Sequence, residues 1–144
     1  MLTRKFHGPR RYVFREDSAV ASGYDEYVKA SYDYDKLTFD TAQGPPTVVS
    51  IKPLTQTQAN VVDNMPLGRA RDIEIFRAAV TSVEDYELRD DDGSKRTCPA
   101  ISREAVGDFG LLVSDKWFEA ARPQGWFLRE VAFAAWRITE PDPT

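Results

Sequence analysis

The sequence predicts an α+β fold in one domain, with two short β-hairpins and about four α-helical segments. Three observations predict this class. Residues 54–65 and 69–82 carry apolar side chains at three- and four-residue steps, which indicates two amphipathic helices. Residues 47–52 and 83–89 are short runs beside turn-forming residues, as in hairpins. Residues 126–139 form a longer helical pattern, and 144 residues suffice for one substantial core.

The first fifteen residues are predicted to form a basic N-terminal arm or an edge strand. They contain no acid, although the whole chain has a formal net charge of -4. The basic residues are Arg4, Lys5, Arg10, Arg11 and Arg15. Such an arm can contact an acidic partner or nucleic-acid phosphates, or it can lie along its own domain or a neighbouring copy. Five charges are few for a dedicated nucleic-acid-binding protein, so nucleic acid is not the expected partner.

The globular domain is predicted to span residues 16–139, and its first hairpin pairs residues 37–40 with residues 47–52. A helix should begin directly afterwards, because Thr55 and Gln58 have the spacing of a capping box. The second helix, 69–82, follows a Pro-Leu-Gly stop.

The second hairpin is predicted to pair residues 83–89 with residues 94–97 around the turn dipeptide Asp92-Gly93. The acids before Gly93 do not predict calcium binding, because the alternating acids and the final bidentate acid of a calcium loop are missing. After this hairpin, Ser102 is predicted to cap a helix that extends to residue 120, with a bend at its glycines.

The last helix, 126–139, is predicted to be apolar on two sides. One side should face the core. The other side is the predicted partner interface and carries Trp126, Arg129, Phe133, Trp136 and Arg137. Tryptophan and arginine are enriched at the energetic centres of protein interfaces. The alternative is that the N-terminal arm or the first hairpin covers this side. Residues 140–144 are predicted to be a short polar tail.

No enzymatic activity, cofactor or metal site is predicted. The single cysteine, Cys98, excludes an internal disulfide and a cysteine-based zinc site, and it fits an intracellular chain. The single histidine, His7, lies in the arm and is poorly placed for nucleophilic catalysis. No glycine-rich phosphate loop, export signal or long apolar run is present, so no membrane contact is expected.

Four segments occur in a recognisable order between residues 24 and 121. They are Asp25-Glu26-Tyr27-Val28, residues 46–55 with the form Pro-Thr-x-x-x-Ile-x-Pro-Leu-Thr, a helix with Arg71 and Glu74, and the acidic stretch 83–93. In this order the chain resembles the small tail assembly chaperone-like proteins of tailed bacteriophages. The resemblance implies a non-enzymatic protein of the bacterial host cytoplasm. It would bind helical segments of a tape measure protein while tail tube subunits assemble.

The arm and residues 126–139 lie outside this resemblance. They would also suit a minor structural subunit of the virion, in the connector, neck or tail, that contacts neighbouring subunits or further copies of itself. A third alternative is a small phage protein that binds nucleic acid or blocks host defence.

Overall fold

Residues 8–139, which the computed structural model describes, form nine strands and five α-helices. The strands are β1 (Arg10–Tyr12), β2 (Val20–Ser22), β3 (Thr38–Phe39), β4 (Val48–Ile51), β5 (Val80–Glu84), β6 (Glu87–Arg89), β7 (Lys95–Thr97), β8 (Arg103–Ala105) and β9 (Leu111–Val113). The helices are α1 (Tyr24–Lys29), α2 (Gln56–Asp63), α3 (Arg69–Ala79), α4 (Asp115–Ala121) and α5 (Gly125–Thr139). All strand pairs are antiparallel, so the predicted α+β class is confirmed.

The central sheet has the strand order β1-β4-β5, and the predicted first hairpin is wrong. The strand at residues 38–39 pairs with β2, whereas β4 pairs with β1 and β5. The side chains of Val48, Val49 and Ile51 are all buried in β4. A strand this buried needs hydrogen-bond partners on both edges, and only distant parts of the chain supply both.

The second hairpin is confirmed as the pair β6–β7, closed by the turn that contains Gly93. Its first strand is shorter than predicted because residues 83 and 84 belong to β5. Asp85, with a positive φ of 55°, separates the two strands.

The predicted helix between residues 102 and 120 is wrong in its first half. That region forms the hairpin β8–β9 followed by α4. Gly107 and Gly110 adopt positive φ in the connecting turn, which suits residues without a Cβ atom. Ser114 caps α4 by accepting a hydrogen bond from the Trp117 backbone N–H. Ser102 instead shares a hydrogen bond with the Ser114 hydroxyl.

The other predicted helices are confirmed with small shifts. The capping box of Thr55 and Gln58 starts α2. Helix α3 ends at Ala79 because Val80 enters the sheet opposite Ile51. Helix α5 begins one residue before the predicted start.

Phe127 of α5 lies at the centre of the core and is fully buried. Its ring stacks on Tyr86 with centroids 4.5 Å apart and on Phe14 at 5.4 Å, and it approaches Phe76 of α3 at 5.9 Å. Phe127 therefore packs α5 against α3, the segment that follows β1 and the turn between β5 and β6.

The segment from Arg10 to Phe14 is part of the folded body. Tyr12, Val13 and Phe14 are buried, and β1 is an edge strand of the central sheet. The Tyr27 hydroxyl donates a hydrogen bond to the Arg11 carbonyl at 2.7 Å and accepts one from the Val13 N–H at 3.0 Å. This side chain therefore occupies the free edge of β1.

Two predicted features, Arg4 with Lys5 and the tail at 140–144, lie outside the described residues. None of the helices between residues 8 and 139 has the length and hydrophobicity of a membrane-spanning segment.

Candidate partner-binding surface

Helix α5 is buried around most of its circumference and exposes one narrow line of side chains. Trp126, Arg129, Phe133 and Arg137 form this exposed line. Their spacing places them on one side of the helix over a length of about 16 Å. Trp126 is 43% exposed and Phe133 is 65% exposed. Four of the five residues predicted for the partner interface thus share one solvent-facing side.

Trp136, the fifth residue, is half-buried and packs against the core. The guanidinium carbon of Arg71 in α3 lies 4.9 Å from the centre of its ring. The structure therefore places Trp136 between α5 and α3, beside the exposed line.

The N-terminal segment covers one end of the second aromatic side of α5. Phe14 packs edge-on against Trp126 with ring centroids 5.4 Å apart. Phe133 lies two helical turns further along and remains exposed. The N-terminal segment therefore covers the Trp126 end of this side and leaves Phe133 in solvent.

A groove of about 380 Å³ runs beside Phe133, between α5, α1 and the segment that follows β1. We call it the Phe133 groove. Its aromatic lining is Tyr12, Tyr24, Tyr32 and Phe133, and its charged lining is Arg15, Arg129, Arg137, Glu16 and Glu130. It therefore joins Arg15 of the predicted basic arm to three residues of the predicted interface.

Tyrosine rings support two arginines of this groove. The Arg15 guanidinium lies 4.5 Å from the centre of the Tyr24 ring and is paired with Asp25 at 3.0 Å. The Arg137 guanidinium lies 5.4 Å from the Tyr32 ring centre and donates a hydrogen bond to the Tyr32 hydroxyl at 3.3 Å. Stacking on a ring restricts a guanidinium and leaves further N–H donors for a ligand.

The remaining basic residues of the arm lie elsewhere. Arg11 covers the ring of Tyr34 at 3.7 Å, and neither residue lines the groove. Arg10 begins β1, and its Nε atom is buried.

Burial shifts the pKa values of three tyrosines and one glutamate of the groove toward the neutral forms. It raises the pKa values of Tyr12, Tyr24 and Tyr32, so their hydroxyls remain hydrogen-bond donors even in alkaline solution. Burial is also the main cause of a raised pKa at Glu130, and the neighbouring carboxylate of Glu16 adds to it. The groove thus combines three arginines with two carboxylates, and the pKa of one of these, Glu130, lies above its ordinary value.

The three tyrosines were missed as site residues. Aromatic and basic residues alternate near the N-terminus, but that pattern does not show which helix they approach. Only the pairing of β1 with β4 brings Tyr12 and Arg15 to α5.

Among the described residues, histidine, cysteine, aspartate and glutamate side chains form no group of three or more that could hold a metal ion. Comparisons with protein-family models, with curated proteins and with solved structures find no match to this chain.

Proposed function

We propose that this protein is a non-enzymatic particle-assembly protein of a tailed bacteriophage, acting in the host cytoplasm as a tail assembly chaperone. Its client is a helical segment of a tape measure protein. The order of segments over residues 24–121 supports the phage assignment. The observation that carries the binding role is Phe133, a large apolar side chain that is 65% exposed beside an arginine-lined groove.

The chemistry of the groove defines the client segment. An apolar side chain of the client would cover Phe133, since burying an exposed phenyl ring stabilises a complex. Acidic residues one turn away on either side would face Arg129 and Arg137, which flank Phe133 at four-residue steps. The exposed line is about 16 Å long and matches three turns of a client helix. The client is therefore an amphipathic helix with acidic residues beside its apolar stripe.

The test measures the affinity for helical fragments of the tape measure protein by isothermal titration calorimetry. Phe133→Ala should weaken binding about tenfold, since residues at the centre of an interface contribute more than 1 kcal/mol. Arg137→Gln should weaken it in a salt-dependent manner. Leu67→Ala is the matched control, because Leu67 is 86% exposed but does not line the groove. Equal affinities for Phe133→Ala and the unchanged protein would contradict the proposal.

A second candidate is a minor structural subunit of the virion, and a second apolar surface favours it. Val61 and Phe109, which are 40% and 37% exposed, flank a pocket of about 170 Å³ between α2, α3 and the β8–β9 turn. Two separate surfaces suit a subunit with several neighbours. Purified particles would contain such a subunit in fixed copy number, whereas a chaperone would be absent from them.

Binding to nucleic acid has less support. The rings of Tyr24, Tyr32 and Tyr34 are each covered by an arginine of the same chain. Bases need uncovered rings for stacking.

A further inference from the structure

A second groove with several arginines lies between α3, α4 and the start of α5 and has a volume of about 500 Å³. We call it the arginine groove. Its charged lining is Arg69, Arg77, Arg122 and Asp115. Its apolar lining includes Ile73, Phe118 and Leu128. The described residues that line it all differ from those of the Phe133 groove, so the two grooves are separate sites.

Carboxylates already balance the charge of Arg77. Three of them lie 3.6–3.9 Å from its Nη atoms, those of Glu74, Glu104 and Asp115. Only Asp115 among these three lines the groove. Arg77 and Asp115 therefore offset each other within the lining.

Arg69 and Arg122 carry positive charge that the described residues balance only in part. None of the ion pairs between described residues includes Arg69. Arg122 Nη2 lies 3.4 Å from Asp90 Oδ1, but the same oxygen accepts a hydrogen bond from Arg96 Nε at 2.9 Å. The excess positive charge of the groove is therefore that of Arg69 and Arg122.

The two arginines line adjoining parts of the groove. The Arg69 guanidinium lies against the first residue of α5, since a Cβ atom at Gly125 would be only 3.2 Å from Arg69 Nη1. Gly125 is three residues from Arg122 in the chain. A ligand in the groove can therefore contact both side chains.

Arg122 occupies a backbone position that usually selects glycine. It ends α4 with φ 46° and ψ 58°, in the left-handed region, where a Cβ atom is disfavoured. Its side chain is 70% exposed, so burial in the core does not explain an arginine here. Strained backbone of this kind is concentrated at binding and active sites. The arginine at this position therefore indicates a role in binding.

We propose that the arginine groove binds a small organic phosphate, with the phosphate oxygens on Arg69 and Arg122 and the apolar part of the ligand on Ile73 and Phe118. Guanidinium groups bind phosphate oxygens through paired, charge-assisted hydrogen bonds. A phosphate monoester carries a charge of about −1.5 to −2 at neutral pH, which matches two arginines better than a single carboxylate does. The groove volume lies within the range of about 300–1,000 Å³ that is usual for small-molecule sites. The inference does not depend on the proposed client.

The first test compares phenyl phosphate, inorganic phosphate and phenol as probes, each titrated into the ¹⁵N-labelled protein and followed by NMR. Phenyl phosphate should bind at least about tenfold more tightly than either of the others, because it uses both the arginines and the apolar lining. The amide shift changes should centre on residues 69–77 and 115–123. Shift changes centred on the Phe133 groove, or no saturable binding of phenyl phosphate, would overturn the proposal.

A single-stranded oligonucleotide is the fourth probe, because nucleic acid is another source of phosphate groups. Phenyl phosphate should bind whether or not the oligonucleotide does. Binding of the oligonucleotide alone would refute a small-molecule site.

The second test uses Arg122→Gly, which should change binding and stability in opposite directions. It should weaken phenyl phosphate binding about tenfold, because it removes charge-assisted hydrogen bonds. It should also raise the thermal midpoint of the free protein by about 2–4 °C, because glycine relieves the left-handed backbone. Unchanged affinity in this variant would contradict the proposal, whichever way the midpoint moves.

Three further variants separate the groove from net charge. Arg69→Gln should weaken phenyl phosphate binding about tenfold, whereas Asp115→Asn should strengthen it about threefold by removing a carboxylate from the lining. Arg89→Gln is the matched control, since Arg89 is exposed and does not line the groove. Equal losses in Arg69→Gln and Arg89→Gln, or a loss in Asp115→Asn, would refute the phosphate site.

Discussion

Truncating two phenylalanines of α5, Phe127 and Phe133, should reduce the stability of the protein to very different extents. Phe127 is fully buried between the rings of Tyr86, Phe14 and Phe76, whereas Phe133 is 65% exposed. Truncating a buried phenylalanine to alanine removes its transfer free energy and leaves a cavity, so Phe127→Ala should cost about 3–5 kcal/mol. Phe133→Ala, at an exposed position away from such packing, should change the free energy of unfolding by less than about 0.5 kcal/mol.

Urea denaturation followed by circular dichroism measures this difference. With an m-value of about 2 kcal/mol/M, Phe127→Ala should lower the midpoint by about 1.5–2.5 M. Phe133→Ala should leave the midpoint within about 0.3 M. The two variants carry the same substitution on the same helix, so helix propensity contributes equally to both. A loss in Phe133→Ala similar to that in Phe127→Ala would refute the assignment of the exposed line as a binding surface.

Three further predictions concern the N-terminal half and the pH dependence. Tyr27→Phe should cost about 1–3 kcal/mol in urea denaturation, because it removes the hydroxyl that bonds both Arg11 and Val13, and Tyr34→Phe is its control. Gly23→Ala should lower the thermal midpoint, because Gly23 has a φ of 89° and an added Cβ would collide with the Lys36 carbonyl; unchanged melting would contradict that geometry. Burial raises the pKa values of Tyr12 and Tyr27 above the ordinary value of 10.0, so folding favours the neutral phenols. Their contribution to stability should be complete below pH 10 and decline above it, and a flat urea midpoint between pH 9 and about 11.5 would contradict this.

Local signals predicted the elements that depend on neighbouring residues. The capping box of Thr55 and Gln58 involves one turn of chain, and the Gly93 turn of the second hairpin is equally local. The apolar pattern of α5 is long enough to exclude a strand. Predictions of this kind need no knowledge of the rest of the fold.

Strand pairing could not be predicted in the same way. The strand at 38–39 stands close to β4 in sequence, yet it pairs with β2. The partners of β4 come from the N-terminus and from the end of α3. Similarly, the apolar spacing between Val106 and Val113 fits a helix as well as a hairpin. The structure forms the hairpin, with Gly107 and Gly110 at positive φ in its turn.

For the candidate site too, local spacing predicted some residues, whereas contacts between distant segments could not be predicted. The sequence selected Trp126, Arg129, Phe133, Trp136 and Arg137 by their position on one side of a helix. It did not show that Arg71 would cover Trp136 or that Tyr12, Tyr24 and Tyr32 would complete a groove.

The sequence by itself determined that α5 has two apolar sides, because helical spacing is a property of consecutive residues. Only the tertiary structure decided which part of the second side stays in solvent. That outcome depends on Phe14 and Arg71, which belong to segments distant in sequence and reach α5 through the central sheet and α3. Burial of apolar area is set by whichever surfaces meet in space, and no local pattern contains that information.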